Sequence, residues 1–213
     1  MQTVICSHGF GVKADARGMF TEIEQSFPKV RFVMFDYNNF DNEGNTTVPA
    51  LSNQAETLQQ VIDDNPKGSI LLCHSQGSLV AGMVDLSSIS KVMLLAPPVN
   101  MSMERIIHKM ARKPGGVIDL QGISKLPRSD GTVTHLPKDY LESLKNINPI
   151  SMYAKIAATK PTIVVRSLND EVLGLTNVNE IAYATVIDIE ADHNFTGSSR
   201  KKLVGLLSSI ISS

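Results

Sequence analysis

The chain has 213 residues, 42% of them hydrophobic and 19% charged. That suits one domain, able to bury about 70% of the surface its unfolded form exposes. A formal net charge of −1 gives no electrostatic reason to expect nucleic acid or an anionic membrane as partner. No apolar run is long enough to span a bilayer. Met1-Gln2-Thr3 leads straight into strand residues, without the basic and apolar regions of a signal peptide. Cys6 and Cys73 both fall inside apolar strands and read as small core residues of a reducing compartment, so a cytoplasmic location is expected.

Thr3 to Cys6 reads as a short strand, followed by the loop Ser7-His8-Gly9-Phe10-Gly11. Asp15 is placed to cap a helix with Met19, Phe20, Ile23 and Phe27 on one face, stopped by Pro28. Val30 to Phe35 is a second strand, and its nearly continuous apolar character suits a parallel strand covered on both sides. Residues 36–48 are polar and Asn-rich and read as a loop. A helix follows with Leu51, Ala55, Leu58 and Ile62 along one stripe.

The apolar strand Ser69 to Cys73 then turns sharply into a helix carrying Leu79, Val80, Met83 and Val84. Lys91 to Ala96 is a fourth strand, halted by Pro97-Pro98. So far the order is βαβαβαβ, which predicts a parallel sheet with right-handed crossovers. The alternation breaks between Pro97 and about Asn148. There an amphipathic helix (Met103, Ile106, Ile107, Met110) precedes a hairpin around Arg128-Ser129-Asp130-Gly131 and a short helix opened by Pro137. We read residues 99–148 as a cap inserted over an active site; a plain surface excursion is the alternative. A helix from Ile150 to Ala157, strands Pro161 to Val165 and Thr185 to Ile189, and a last helix with Leu203, Leu206, Leu207, Ile210 and Ile211 complete the chain. The count is six sheet strands.

The sharp strand-to-helix turn at His74-Ser75-Gln76-Gly77 has the form of a nucleophile elbow, G-x-S-x-G, with Cys73 at its first position. A serine hydroxyl needs a base within hydrogen-bond reach. His193, in the loop after the last strand, is the candidate, and Asp170, after a late strand, would hold its other nitrogen. Glu171, Asp188 and Asp192 compete with Asp170. Asp188 should lie in a strand, and Asp192 adjoins His193. The N–H groups of Phe10 and Gln76 are the candidate oxyanion donors, with His8 and Gly9 in support. Ser75 as a strand-end serine bonded to nearby backbone, and His193 as an exposed loop histidine, are the bland alternatives. His74 reads as a packing or surface residue. Cys6, His8, Cys73 and His74 would make a poor metal site, because Cys73 and His74 point to opposite faces of a strand. No metal and no cofactor are expected.

The order oxyanion loop, serine, acid, histidine resembles that of the α/β-hydrolases, in particular small capped bacterial serine hydrolases of the carboxylesterase and serine aminopeptidase-like kind. Ser7-His8-Gly9-Phe10-Gly11, His74-Ser75-Gln76-Gly77, Leu94-Leu95-Ala96-Pro97-Pro98, Leu168-Asn169-Asp170-Glu171-Val172 and Asp192-His193-Asn194-Phe195 carry the likeness. It implies an α/β-hydrolase fold over residues 1–213: a mostly parallel six-stranded sheet, helices on both faces and an inserted cap. It also implies a cofactor-free acyl-enzyme mechanism on a small-molecule ester, with Ser75, Asp170 and His193 as the triad. A peptidase or thioesterase with the same triad, or a non-catalytic ligand-binding protein on this scaffold, are the rival readings. In the family's strand order Cys6 and Cys73 lie on neighbouring strands, which leaves open whether their sulfurs come close; a disulfide needs specific geometry, and reduced thiols are the expected state. Oligomeric state is not legible.

Overall fold

The computed structural model describes residues 1–211. Six strands form one sheet: Thr3–Ser7 (β1), Arg31–Met34 (β2), Ser69–His74 (β5), Ile89–Leu95 (β6), Thr162–Ser167 (β9) and Thr185–Ile189 (β10). Their order is β10-β9-β6-β5-β1-β2, and every neighbouring pair is parallel. The strand order reverses between β1 and β5: the chain leaves β1 for β2 on one side, then returns to β5 on the other. In open parallel sheets the crevice at such a switch, outside the carboxyl ends of the strands, is where ligands bind. The loops after β1 and β5 carry Gly9, Phe10 and Ser75 to that edge.

Alternation along the strands explains their unbroken apolar sequence. In β5, Ile70 and Leu72 face one core, while Leu71 and Cys73 face the other. The first core is covered by Met19–Gln25 (α1) and Ser198–Ile211 (α7), through Met19, Phe20, Ile23, Leu203, Leu207 and Ile210. The opposite core is covered by Leu51–Asp63 (α2), Gln76–Ala81 (α3) and Pro149–Thr159 (α6), through Leu58, Ile62, Leu79, Val80, Tyr153 and Ile156. The same alternation separates the two thiols. Cys6 is level with Leu72, and Cys73 with Ser7, so the cysteines lie on adjacent strands but point into different cores. Both are free and buried. One residue of register thus turns the two side chains to opposite faces of the sheet.

Residues 97–148 add no strand to this sheet, as their sequence predicts. They hold Met103–Ala111 (α4), the antiparallel pair Ile123–Pro127 (β7) and Val133–Pro137 (β8), and Lys138–Ser143 (α5). The stretch read as a polar loop contributes structure that the sequence does not announce. Asn39–Phe40 (β3) and Thr46–Thr47 (β4) pair antiparallel, and β4 then runs parallel to β8, giving a second, four-stranded sheet β3-β4-β8-β7. Two-residue strands have no period to read. Two helix ends also differ. Asp15 does not cap α1: its carboxylate accepts the Arg17 N–H, and Ala16, Arg17 and Gly18 all take positive φ before the helix begins. α3 stops at Ala81, and Met83 is exposed. No helix among the described residues is long and apolar enough to cross a membrane.

Candidate active site

The site is built from four loops that leave the carboxyl edge of the sheet. At the end of β5 the chain must reverse into α3 within one residue, and Ser75 takes φ 52° and ψ −123°. This is a strained region for a residue with a Cβ. The strain is held by packing on both sides. The Ser75 N–H donates to the Leu95 carbonyl at 2.9 Å, and the Ser78 N–H donates to the Ser75 carbonyl. Gly77 admits the closeness of β1, since a Cβ there would lie 2.3 Å from the Ser7 carbonyl oxygen. Gly9 has a similar role, because its Cβ would stand 3.1 Å from that of Ser75. Cys73 occupies the first elbow position as a fully buried strand residue and does not disturb the turn.

The structure brings together the three far-apart side chains. The Ser75 hydroxyl donates to His193 Nε2 at 3.0 Å, and His193 Nδ1–H donates to Asp170 Oδ2 at 2.7 Å. Asp170 Oδ1 accepts the N–H groups of Val172 and Leu173 at 2.9 and 2.7 Å. Burial pushes the Asp170 carboxyl up, but the hydrogen bonds from His193 and these two amides together hold it below the usual carboxylate range. Its three competitors are engaged elsewhere. Glu171 accepts the His193 backbone N–H, Asp188 grips Arg166 with both oxygens, and Asp192 accepts the Thr196 N–H and hydroxyl.

Gln76 opens α3, so its N–H has no intrahelical acceptor. Neither it nor the Phe10 N–H meets a protein acceptor among the described residues. Beneath the Phe10 loop, His8 is buried: its Nδ1–H donates to the Gly9 carbonyl at 2.9 Å, and its Nε2 accepts the Tyr37 N–H at 3.0 Å. Both nitrogens are used to hold the loop, and burial draws the imidazole pKa down.

Two further residues at the site lacked a usable sequence signal. His74 is buried, and its Nε2–H donates to the His193 carbonyl at 2.9 Å, with the two rings 4.9 Å apart. His193 is therefore fixed from behind as well as through Asp170. Burial first, and the neighbouring His193 second, bring the His74 pKa down to about 3. Tyr140, on α5, donates to Gln76 Oε1 at 2.7 Å, and Gln76 Nε2 donates to Gln54 Oε1 at 3.0 Å. The inserted segment is thus tied directly to the residue after the serine. In Tyr140→Phe the buried Gln76 oxygen loses its donor, and urea unfolding should show a loss of about 1–3 kcal/mol.

Ser75, Gln76 and His193 line a cavity of about 320 Å³. Gly9 and Phe10 form one wall; Met101, Ile106 and Met110, around α4, form another. Among the described residues no group of three or more His, Cys, Asp or Glu side chains is placed to hold a metal ion.

No protein-family model and no curated protein matches the sequence. Solved structures do match in shape. The esterase domain of a Rhodothermus marinus protein superposes with a TM-score of 0.66 at 17% identity, over 98% of this chain and 85% of that one. Est1E from Butyrivibrio proteoclasticus gives 0.66 at 18% identity, over 100% and 89%. A hydrolase from Pseudomonas aeruginosa PA01 gives 0.71 at 13% identity, over 100% and 90%.

Proposed function

Because this chain has the α/β-hydrolase fold, we propose that it is a serine hydrolase cleaving a small carboxylic ester through a Ser75 acyl-enzyme. One observation carries the reading: the unbroken line of hydrogen bonds from the Ser75 hydroxyl through His193 to the Asp170 carboxylate. In the proposed reaction Ser75 Oγ attacks the ester carbonyl while His193 Nε2 takes its proton. Negative charge gathers on the former carbonyl oxygen, where the N–H groups of Phe10 and Gln76 receive it. As the C–O bond to the leaving group breaks, the imidazolium returns the proton to the departing alkoxide oxygen. A water molecule, deprotonated by the same nitrogen, then attacks the acyl carbon and releases the acid and free Ser75.

Asp170 does not change protonation in this cycle. It holds Nδ1–H and stabilises the imidazolium as it forms. Residues 99–148, which supply Met101, Ile106 and Met110 to the cavity, act as the cap that shelters the acyl group. A fluorophosphonate probe should label the protein, and Ser75→Ala should abolish labelling. A variant that still becomes labelled removes Ser75 as nucleophile.

A further inference from the structure

The cavity beside Ser75 is unevenly charged. Arg17, Arg105, Lys109 and Arg128 line it, against one carboxylate, Glu171. Glu171 is already engaged, accepting the His193 N–H through Oε2. None of the four cations forms an ion pair among the described residues. Arg128 is fixed by donation from Nε to Thr134 Oγ1 at 2.6 Å, and its guanidinium carbon lies 5.2 Å from the centre of the Phe10 ring. The nearby carboxylate on the same hairpin, Asp130, turns back to accept the N–H and hydroxyl of Thr132. Arg105 is held by the carbonyls of Asn100 and Leu173, which position it without neutralising it. Lys109 is drawn below the usual lysine pKa by burial first, then by Arg128, Arg105 and Lys113, with the Asp170 carboxylate acting weakly the other way.

Arg17, Arg105 and Lys109 are exposed, so water screens part of their mutual repulsion, but gathering them with the half-buried Arg128 around one cavity still favours an anion there. The rest of the wall is apolar, from Phe10, Met101, Ile106, Met110 and Leu126. We infer that the substrate of the site is an ester whose acyl chain ends in an anionic group, a carboxylate or a phosphate, with the methylenes against α4 and the charge among Arg105, Lys109 and Arg128. This rests on the serine-hydrolase reading for the chemistry, but not for the binding.

The test compares 4-nitrophenyl hydrogen glutarate with 4-nitrophenyl valerate, which exchange a terminal carboxylate for a methyl group. The expected result is a kcat/KM at least tenfold higher for the glutarate. That ratio should shrink as salt rises, and should fall toward one in Lys109→Met and in Arg128→Met. Lys109→Met removes no hydrogen bond to the hairpin, so it keeps the test open should Arg128→Met fold poorly. A ratio of one or below in the wild type overturns the inference. A second measurement works without turnover: Ser75→Ala is titrated with monomethyl glutarate and with dimethyl glutarate. Tighter binding of the anion supports the site even where no ester is cleaved, and equal binding overturns it even where neutral esters are cleaved. Competition by pentanoate against competition by butyl phosphate tells which anion the site prefers, and failure of both to compete overturns the inference.

Discussion

Asp170→Asn should lower kcat about 10⁴-fold while leaving the fold intact. The size follows from which way the new amide must point. Two backbone N–H groups, from Val172 and Leu173, donate to Oδ1, and that position has to remain an oxygen. The NH₂ group is therefore forced onto the Oδ2 side, 2.7 Å from His193 Nδ1. There it can only donate, so Nδ1 must accept and the ring proton moves to Nε2. A protonated Nε2 cannot accept from the Ser75 hydroxyl, and the proposed base is lost without any side chain leaving its place. Steady-state kinetics on an ester, with circular dichroism to confirm folding, measures this. A loss of tenfold or less would remove Asp170 from the role and return the question to Glu171.

The second large effect is on stability as a function of pH. His74 titrates near 3 in the folded protein against about 6.5 unfolded. Its folded pKa is lowered, so between these values the unfolded chain binds the extra proton. The stability attached to the neutral ring is complete above about 6.5 and is lost as pH falls toward 3. From pH 7 to pH 5 the loss is about 2 kcal/mol. His8, also lowered by burial, adds to it with the same sign, whereas the lowered carboxylates, Asp170 among them, act below about pH 4. Urea unfolding at pH 7 and pH 5 should show the decline, and His74→Phe, which cannot titrate, should show it reduced by His74's share. An undiminished decline in that variant would mean the buried imidazole is not its source.

What could be read from the sequence was what repeats. Unbroken apolar runs such as Ile70 to Cys73 gave parallel strands, because both faces of each are covered. The loops at the carboxyl ends of β1, β5, β9 and β10 held the candidate triad and its oxyanion loop in chain order, and the fold brings them to one edge. What could not be read depended on single contacts across the fold. Nothing in Thr46-Thr47 shows that it will pair with Thr134 and His135, nearly ninety residues later. Nor does the sequence near His74 show that its ring reaches a carbonyl 119 residues away. The left-handed run at Ala16 and Arg17 breaks a helix that the apolar spacing alone would begin earlier. The hydrogen bond from Tyr140 to Gln76 likewise exists only once α5 is docked.

The small second sheet has a consequence for anyone recombining proteins of this fold. Beyond its ladders, the Val48 N–H donates to the His135 carbonyl, and Asn45 Oδ1 accepts the Val133 N–H. Residues 39–48 and 123–137 are therefore a single transplantable unit, although about seventy-five residues of chain separate them. A chimera that imports a foreign insertion in place of 97–148 must import its counterpart of 39–48 as well. Otherwise β4 is left with an unzipped edge where β8 should pair, and the graft fails at a joint that neither donor sequence marks.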